Sequence, residues 1–377
     1  MKIIITVESY FPLKNGVQEI TQNYAEFLSK NNDVTVITKS VQGSPEEEYI
    51  NGVKVLRVNV NTKKSIYYGE IDKYKEILLS ITEDADVLMN VCMQTAFTDC
   101  IINILKDIKC KKILYLHGMA HFVFPRIPKV DFHDILSWIL NVVRWKLFYL
   151  TVKKKLNLYD AIIHLHKSDK TFLMCQSLSC KNYVIENIAG NDIAVQNDDD
   201  LDDTSPYIMI ANYIHDKNQE LAIRSYYKSD SKRKLVFVGS KETNYLNKLK
   251  ILCSKYDKKY FEKQVEFVVN ESHAATMQRL KKAYALIHSS KSEKYPVVIC
   301  EAMKTGIPFI ATDTGIIKEL PGGLVCKTED DFINSINKLE SSPELRKKMI
   351  DSGASYSSLH QDYEKNKVKL ADILKEL

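Results

Sequence analysis

Several familiar signatures are missing from this chain of 377 residues. Eight cysteines occur, but no two stand in a CxxC pair, so neither a cysteine-rich zinc site nor a thiol–disulfide redox motif is present. Their scatter (Cys92, Cys100, Cys110, Cys175, Cys180, Cys253, Cys300, Cys326) predicts reduced, mostly buried thiols and a cytoplasmic location. No uninterrupted apolar run reaches the length of about 18 residues that a spanning helix needs. The opening "MKIIITVESYFP" has too short an apolar stretch for a secretory signal and reads as a first strand. One-sided charge is missing as well. Lys plus Arg number 53 against 48 Asp plus Glu, and the net +5 suits an anionic ligand or surface but is no nucleic-acid footprint. HExxH, GxGxxG and short internal repeats are all absent.

Present instead are two domains' worth of chain and 45% hydrophobic residues, enough for full cores. Short apolar runs read as strands: "KIIITV", "DVTVIT", "VKVLRV", "ADVLMNV", "KKILYLHG", "AIIHLH" and "NYVIEN" in the first half, then "YIMIAN", "KLVFVG", "VEFVVN", "AYALIHSS", "PFIAT" and "GGLVCK" in the second. Helical stretches such as "EITQNYAEFLSKN" and "NQELAIRSYYKS" separate them, the grammar of parallel α/β sheets. Between the halves lies "AGNDIAVQNDDDLDDTSP", acidic and turn-rich. The expected organisation is an N-terminal domain over 1–190, a linker over 191–205, a C-terminal domain over 206–355 and a final helical segment over 356–377 that packs back on the first domain. Two such halves would leave a ligand-binding cleft between them.

The densest chemistry lies in "SSKSEKYPVVICEAMKTGIPFIATDTG", Ser289 to Gly315. Strand, loop, helix and strand follow one another here, a crossover unit of a parallel sheet. Pro296 suits a helix's first turn, where its missing N–H is not needed, and Gly306 supplies the stop. Glu293 then falls in the loop at the carboxyl end of a strand, and Glu301 just past the first turn of the helix. Ligands of open parallel sheets bind at that edge, and the N–H groups of Val297 and Val298 would face an anion there. A phosphate seat flanked by carboxylates that can accept from a vicinal diol describes a nucleotide sugar. The bland alternative is a solvated Glu293 and a locally paired Glu301.

Four further constellations carry less weight singly. Asn15-Gly16 makes a turn after the first strand, with a helix starting near Gln18, and Gly16 would let a diphosphate approach the backbone. Taken singly, a plain strand-to-helix turn is the better reading. Lys217 precedes a helix after the strand ending near Ala211 and could neutralise a departing diphosphate, although most lone lysines are merely solvated. His117 stands at a strand end and His121 four residues on, without a third metal ligand. His117 is the better site candidate, and His121 reads as structural. Finally, "WILNVVRWKLFYLTVKKK" combines Trp138, Trp145, Phe148 and Tyr149 with Arg144, Lys146, Lys153, Lys154 and Lys155. It is either a surface for an anionic membrane or a packed helix with a solvated basic end.

Taken together, these residues resemble the retaining glycosyltransferases of family 4 with the GT-B fold: α/β, two Rossmann-like domains with parallel sheets facing a central cleft. The resemblance spans nearly the whole chain and is strongest from Tyr284 to Gly323, where the family's Glu, seven residues, Glu-Ala-Met, Gly-x-Pro and Thr-x-x-Gly pattern is matched. It implies that Glu301 holds the ribose hydroxyls and that Glu293 faces the donor sugar. It also implies that the backbone from Tyr295 through Pro296 to Val298 contacts sugar or diphosphate. Gly16 matches the N-terminal glycine loop, His117 a histidine near sugar and acceptor, and Lys217 the lysine of a basic pair. Asn212 stands where that pair's arginine is usual, and Asn15-Gly16 where the family has two glycines. Asn212 can still donate hydrogen bonds without the charge, at a difference of about 1–2 kcal/mol per bond.

The resulting expectation is a metal-independent, retaining hexosyltransferase. Its partners are a nucleotide-sugar donor and a glycan or lipid-linked acceptor of surface polysaccharide synthesis, with no nucleic acid. It would work in the cytoplasm, peripheral to the inner membrane face if the basic stretch is exposed. No cofactor or metal is expected, since "DDDLDD" sits in the linker. The alternative is a non-catalytic nucleotide-sugar-binding scaffold of the same fold, motivated by Asn212.

Overall fold

The computed structural model describes residues 1–13, 15–63, 66–119, 132–190, 204–260 and 263–377. The chain divides into two compact units, one of Met1–Ile185 with Lys365–Leu377 and one of Glu186–Glu364. The proposed linker, apart from Thr204 and Ser205, lies outside the described residues, as do His121 and the "DDDLDD" run.

Unit 1 contains β1 (Lys2–Thr6), α1 (Gly16–Ser29), β2 (Asp33–Lys39), β3 (Glu47–Ile50), β4 (Val53–Val58), β5 (Val60–Lys63), β6 (Ile66–Gly69), α2 (Ile71–Thr82), β7 (Val87–Val91), α3 (Ala96–Asp99), β8 (Lys111–Leu116), α4 (Phe132–Leu156), β9 (Ala161–His164), α5 (Lys170–Cys175) and β10 (Lys181–Val184). Eight of its strands form one sheet in the order β10-β9-β8-β7-β1-β2-β4-β3, parallel throughout except for the β3–β4 pair. That hairpin closes on Asn51-Gly52, both with positive φ, the backbone a two-residue hairpin turn requires. A separate pair, β5 with β6, makes a small antiparallel ribbon.

Unit 2 contains β11 (Tyr207–Ile210), α6 (Gln219–Lys228), β12 (Leu235–Gly239), α7 (Asn244–Asp257), β13 (Val265–Val269), α8 (His273–Lys281), β14 (Ala285–His288), α9 (Val297–Thr305), β15 (Phe309–Thr312), β16 (Gly323–Cys326), α10 (Glu329–Ser341) and α11 (Pro343–His360). The last helix, α12 (Tyr363–Glu376), belongs to unit 1 from Lys365 onward. The sheet order of unit 2 is β13-β12-β11-β14-β15-β16, all parallel. Counted from β11 this is 3-2-1-4-5-6, the doubly wound order whose direction of winding reverses between the first and fourth strands.

The central strands read as apolar runs because both of their faces are buried. β7 and β12 are buried at every residue, and so are Ile3, Ile4 and Ile5 of β1. Each apolar side chain among them stabilises the fold by about 1.5–3 kcal/mol. Six cysteines are buried, Cys92 and Cys100 are half-buried, and all eight are free thiols. Among the described residues, no helix is long and apolar enough to cross a membrane.

Candidate nucleotide-sugar site

The site is built at the carboxyl edge of the unit 2 sheet, at the reversal point between β11 and β14. After β11 the chain makes a short 3₁₀ turn over His215–Lys217, and Asn218 enters α6 in the left-handed region, φ 53°, which asparagine tolerates better than most residues. The loop after β14 is tied to this turn. The buried Ser289 hydroxyl donates to the carbonyls of Lys217 (3.2 Å) and Asn218 (2.9 Å), and the Lys291 N–H donates to the Asp216 carbonyl (2.8 Å). Two loops distant in sequence are thereby held in register, and that register sets the pair above them.

Lys217 Nζ lies 2.6 Å from Glu293 Oε1. The same oxygen is 3.2 Å from Nε2 of His288, a buried residue at the end of β14. Burial alone would push the Glu293 carboxyl up, but the hydrogen bond and charge of His288, then those of Lys217, outweigh it and hold the group at about 2 instead of 4.5. Glu293 is therefore a carboxylate at any physiological pH. Because its folded pKa is the lower one, the pair contributes stability above about pH 4.5 and loses it as the pH falls toward 2. The difference amounts to about 3 kcal/mol. Urea unfolding from about pH 6 to about pH 2.5 should show the wild type losing roughly 2–3 kcal/mol more than Glu293→Gln. Equal losses in the two proteins would show that the carboxylate is not held in this way.

The backbone beside Glu293 is fixed from two sides. Gly315, φ 58°, packs so closely that a Cβ there would sit 2.3 Å from the Lys294 carbonyl oxygen and 2.7 Å from that of Glu293. The Ile316 N–H donates to the same Lys294 carbonyl (3.0 Å). From the other side Asn187 Nδ2 donates to the Tyr295 carbonyl (2.8 Å), and the Tyr295 hydroxyl pairs with Glu186 (3.1 Å). The Tyr295 side chain is thus buried structure, which leaves only its backbone for a ligand.

Pro296 corrects one expectation. It is the N-cap of α9, not a first-turn residue, and having no N–H it cannot donate to a ligand. It supplies no side-chain cap either. Among the described residues no acceptor meets the Val297 or Val298 N–H, so these two half-buried residues retain the anion-seeking end of the helix. Gly306, φ 83°, ends α9 in the left-handed cap that glycine favours. Glu301, one turn inside, is buried, and its Oε1 stands 3.8 Å from Nε2 of His273, the first residue of α8. Asn212 is exposed, and its Oδ1 accepts from the Ser240 hydroxyl (2.6 Å) and from the Ser240 N–H (3.4 Å). A backbone N–H only donates, so the carboxamide oxygen is the atom turned toward Ser240 and the amide group remains as a donor.

Gly16 and His117 belong to unit 1, and the other candidates to unit 2. Gly16 is the exposed first residue of α1, with Asn15 as N-cap accepting from the Gln18 N–H at 2.9 Å. The helix thus starts two residues earlier than expected, and residues 7–15 separate it from β1, so Asn15-Gly16 is a helix entry rather than a turn directly after the strand. His117 follows β8 and stacks on Tyr115 (4.7 Å, 20°). Burial holds its imidazole down at about 4, hence neutral. Sequence reasoning missed His288, His273, Ser240 and Asn187. The first two are single histidines without a motif: His288 closes the strand just before the Glu293 loop, and His273 reaches Glu301 from another crossover of the sheet.

The arrangement resembles known proteins as follows. The chain has the GT-B fold, two Rossmann-like units with parallel sheets. Sucrose-phosphate synthase from Thermosynechococcus elongatus superposes with a TM-score of 0.77 at 13% identity, covering 100% of this chain and 98% of that one. Anabaena HepE in complex with UDP-glucose gives 0.70 at 14%, covering 100% of both. A trehalose-6-phosphate protein from E. coli bound with UDP-2-fluoro glucose gives 0.72 at 10%, covering 100% of this chain and 99% of that one. Residues 196–356 match the family model of glycosyl transferases group 1. A curated relative, glycosyltransferase 1 domain-containing protein 1 of Xenopus tropicalis, is 28% identical over 103 residues, 26% of this chain. The chain spans 30% of that relative's length.

Proposed function

We propose that the protein is a retaining glycosyltransferase of family 4, moving a hexosyl group from a nucleotide-sugar donor to a hydroxyl of a glycan or lipid-linked acceptor in surface polysaccharide synthesis at the cytoplasmic face of a membrane. The observation that carries the reading is the Lys217–Glu293 pair at the reversal point of the unit 2 sheet, beside the open N-terminus of α9, within the segment that matches the glycosyl transferase family model. A cation and free N–H groups suit a diphosphate, and the carboxylates of Glu293 and Glu301 suit sugar and ribose hydroxyls. In this reading Lys217 and the α9 N-terminus take up the charge that grows on the leaving diphosphate. Glu293 holds the sugar, Glu301 the ribose, Asn212 donates through its amide, and Gly16 and the neutral His117 serve diphosphate and acceptor.

Incubation with a panel of nucleoside-diphosphate sugars, following release of the free nucleoside diphosphate, tests the reading. Turnover of one donor, stimulated by a glycan or lipid-linked acceptor, supports it. Product formed only from free phosphate would make the protein a phosphorylase. The positive charge comes from the chain itself, so EDTA should leave turnover within about twofold of the untreated enzyme; loss of activity restored by Mg²⁺ or Mn²⁺ would overturn that expectation. Asn212 favours a second reading, because the position carries no charge and its carbonyl oxygen is spent on Ser240. A non-catalytic scaffold would bind a nucleotide sugar in calorimetry and release nothing.

A further inference from the structure

We propose that one face of helix α4 is a docking surface for an anionic lipid membrane. The helix is apolar on two opposed sides. One side faces inward: Trp145, Val152 and Leu156 are buried, and Phe148 and Tyr149 pack against the unit 1 core. The indole of Trp145 is therefore core, and the surface expected from the tryptophans and lysines of this stretch is not the one that forms. The outward side carries five large aliphatic residues instead. Ile139, Leu140, Val143, Leu147 and Leu150 are 43–76% exposed. At about 100° per residue they fall within an arc of roughly 100°, where a helix on the surface of a water-soluble domain places polar and charged side chains. Such a contiguous apolar stripe marks an interaction site.

The charges around the stripe select its occupant. Lys146 and Lys153, both exposed, border one edge of the arc, and exposed Lys154 stands at its C-terminal end. Arg144, whose guanidinium lies 5.8 Å from the rings of Tyr67 and Trp145, borders the other edge. No Asp or Glu occurs from Trp138 to Leu156. A second copy of the chain laid on this face would set lysine against lysine, whereas anionic headgroups neutralise the rim while the acyl boundary takes the leucines. α4 would lie in the interface plane rather than cross the bilayer.

Co-sedimentation with vesicles of phosphatidylglycerol and phosphatidylcholine, against phosphatidylcholine alone, tests the proposal without reference to donor chemistry. The wild type should bind the anionic vesicles and be released by salt. Lys153→Gln with Lys154→Gln should weaken partitioning about 30-fold, and Leu147→Asn with Leu150→Asn at least about tenfold. All four residues are exposed, so the melting temperature and nucleotide affinity should hold, and a variant that loses them is replaced by Leu150→Asn alone. Three results would overturn the proposal: wild type left in the supernatant at low salt, binding indifferent to the leucine substitutions, or a dimer in light scattering that those substitutions dissolve.

Discussion

Lys217→Ala should lower kcat by about 10²–10³ while changing the affinity for the uncharged sugar end little. The lysine is half-buried and closes the short 3₁₀ turn after β11. Among the described residues its ammonium is paired with Glu293 alone, at 2.6 Å, above a backbone that Ser289 and Lys291 fix independently of the side chain. Removing it therefore leaves the loop in place and deletes a positive charge where, on the proposed reading, negative charge grows as the diphosphate departs. It also leaves Glu293 Oε1 with His288 Nε2, 3.2 Å away, as its remaining neighbour. Part of the loss could thus come from a displaced carboxylate, and two further variants separate the causes. Lys217→Arg keeps the charge and should recover much of the rate. Lys217→Ala with Glu293→Gln should fall well short of the two single losses combined, because the residues act as a unit. Turnover near wild type in a folded Lys217→Ala protein, measured with the correct donor, would remove the lysine from leaving-group stabilisation.

That pair also shows how far the sequence alone reaches. The buried parallel strands were legible because they bury both faces and so read as short apolar runs between helices; "KLVFVG" and "ALIH" could hardly be anything else. Glu293 and Glu301 were legible because a strand, a proline, a helix and a glycine stop bracket them. Their neighbours were not. His288 is one polar residue closing an apolar strand, and nothing in "AYALIHSS" distinguishes a satisfied core histidine from one that grips a carboxylate 5 residues on. His273 meets Glu301 only because β14 inserts beside β11, a pairing written in the sheet order and not in any local pattern. The β3–β4 hairpin carried its own signal, Asn51-Gly52, which is easily passed over where the surrounding rhythm is parallel. In α4 the aromatic residues drew attention to the wrong side. The spacing of Trp145, Phe148, Val152 and Leu156 is that of an inward helical stripe, and the leucines between them are what remain outside.

Glu301→Ala should weaken binding of the free nucleoside diphosphate by about 10- to 150-fold, the loss of a charged acceptor from two hydroxyl donors at about 1.5–3 kcal/mol. The expectation rests on where the carboxylate sits. It is buried one turn inside α9, on the helix whose uncapped N–H groups face the proposed diphosphate, so ribose and phosphate would be read from one rigid element. Alanine is the best helix former, and the Glu301 carbonyl that takes the Thr305 hydroxyl (2.6 Å) belongs to the backbone, so the helix itself should persist. The cost of the change then falls on the ligand and on the protein neighbours of the carboxylate, among them His273, whose Nε2 lies 3.8 Å away. Glu301→Gln distinguishes these contributions. It retains one carbonyl acceptor of similar size and should lose less affinity than alanine if ribose hydroxyls are the partners. Calorimetry with UDP, GDP and ADP, each compared with its 2′,3′-dideoxy form, gives the sharper measurement. Removing the diol should cost the wild type about as much as the mutation does, and cost Glu301→Ala almost nothing, because the interaction is then already absent. A folded Glu301→Ala protein that binds the diphosphate as tightly as the wild type, or that still discriminates against the dideoxy form, would place the ribose elsewhere and leave Glu301 as a buried structural partner of His273.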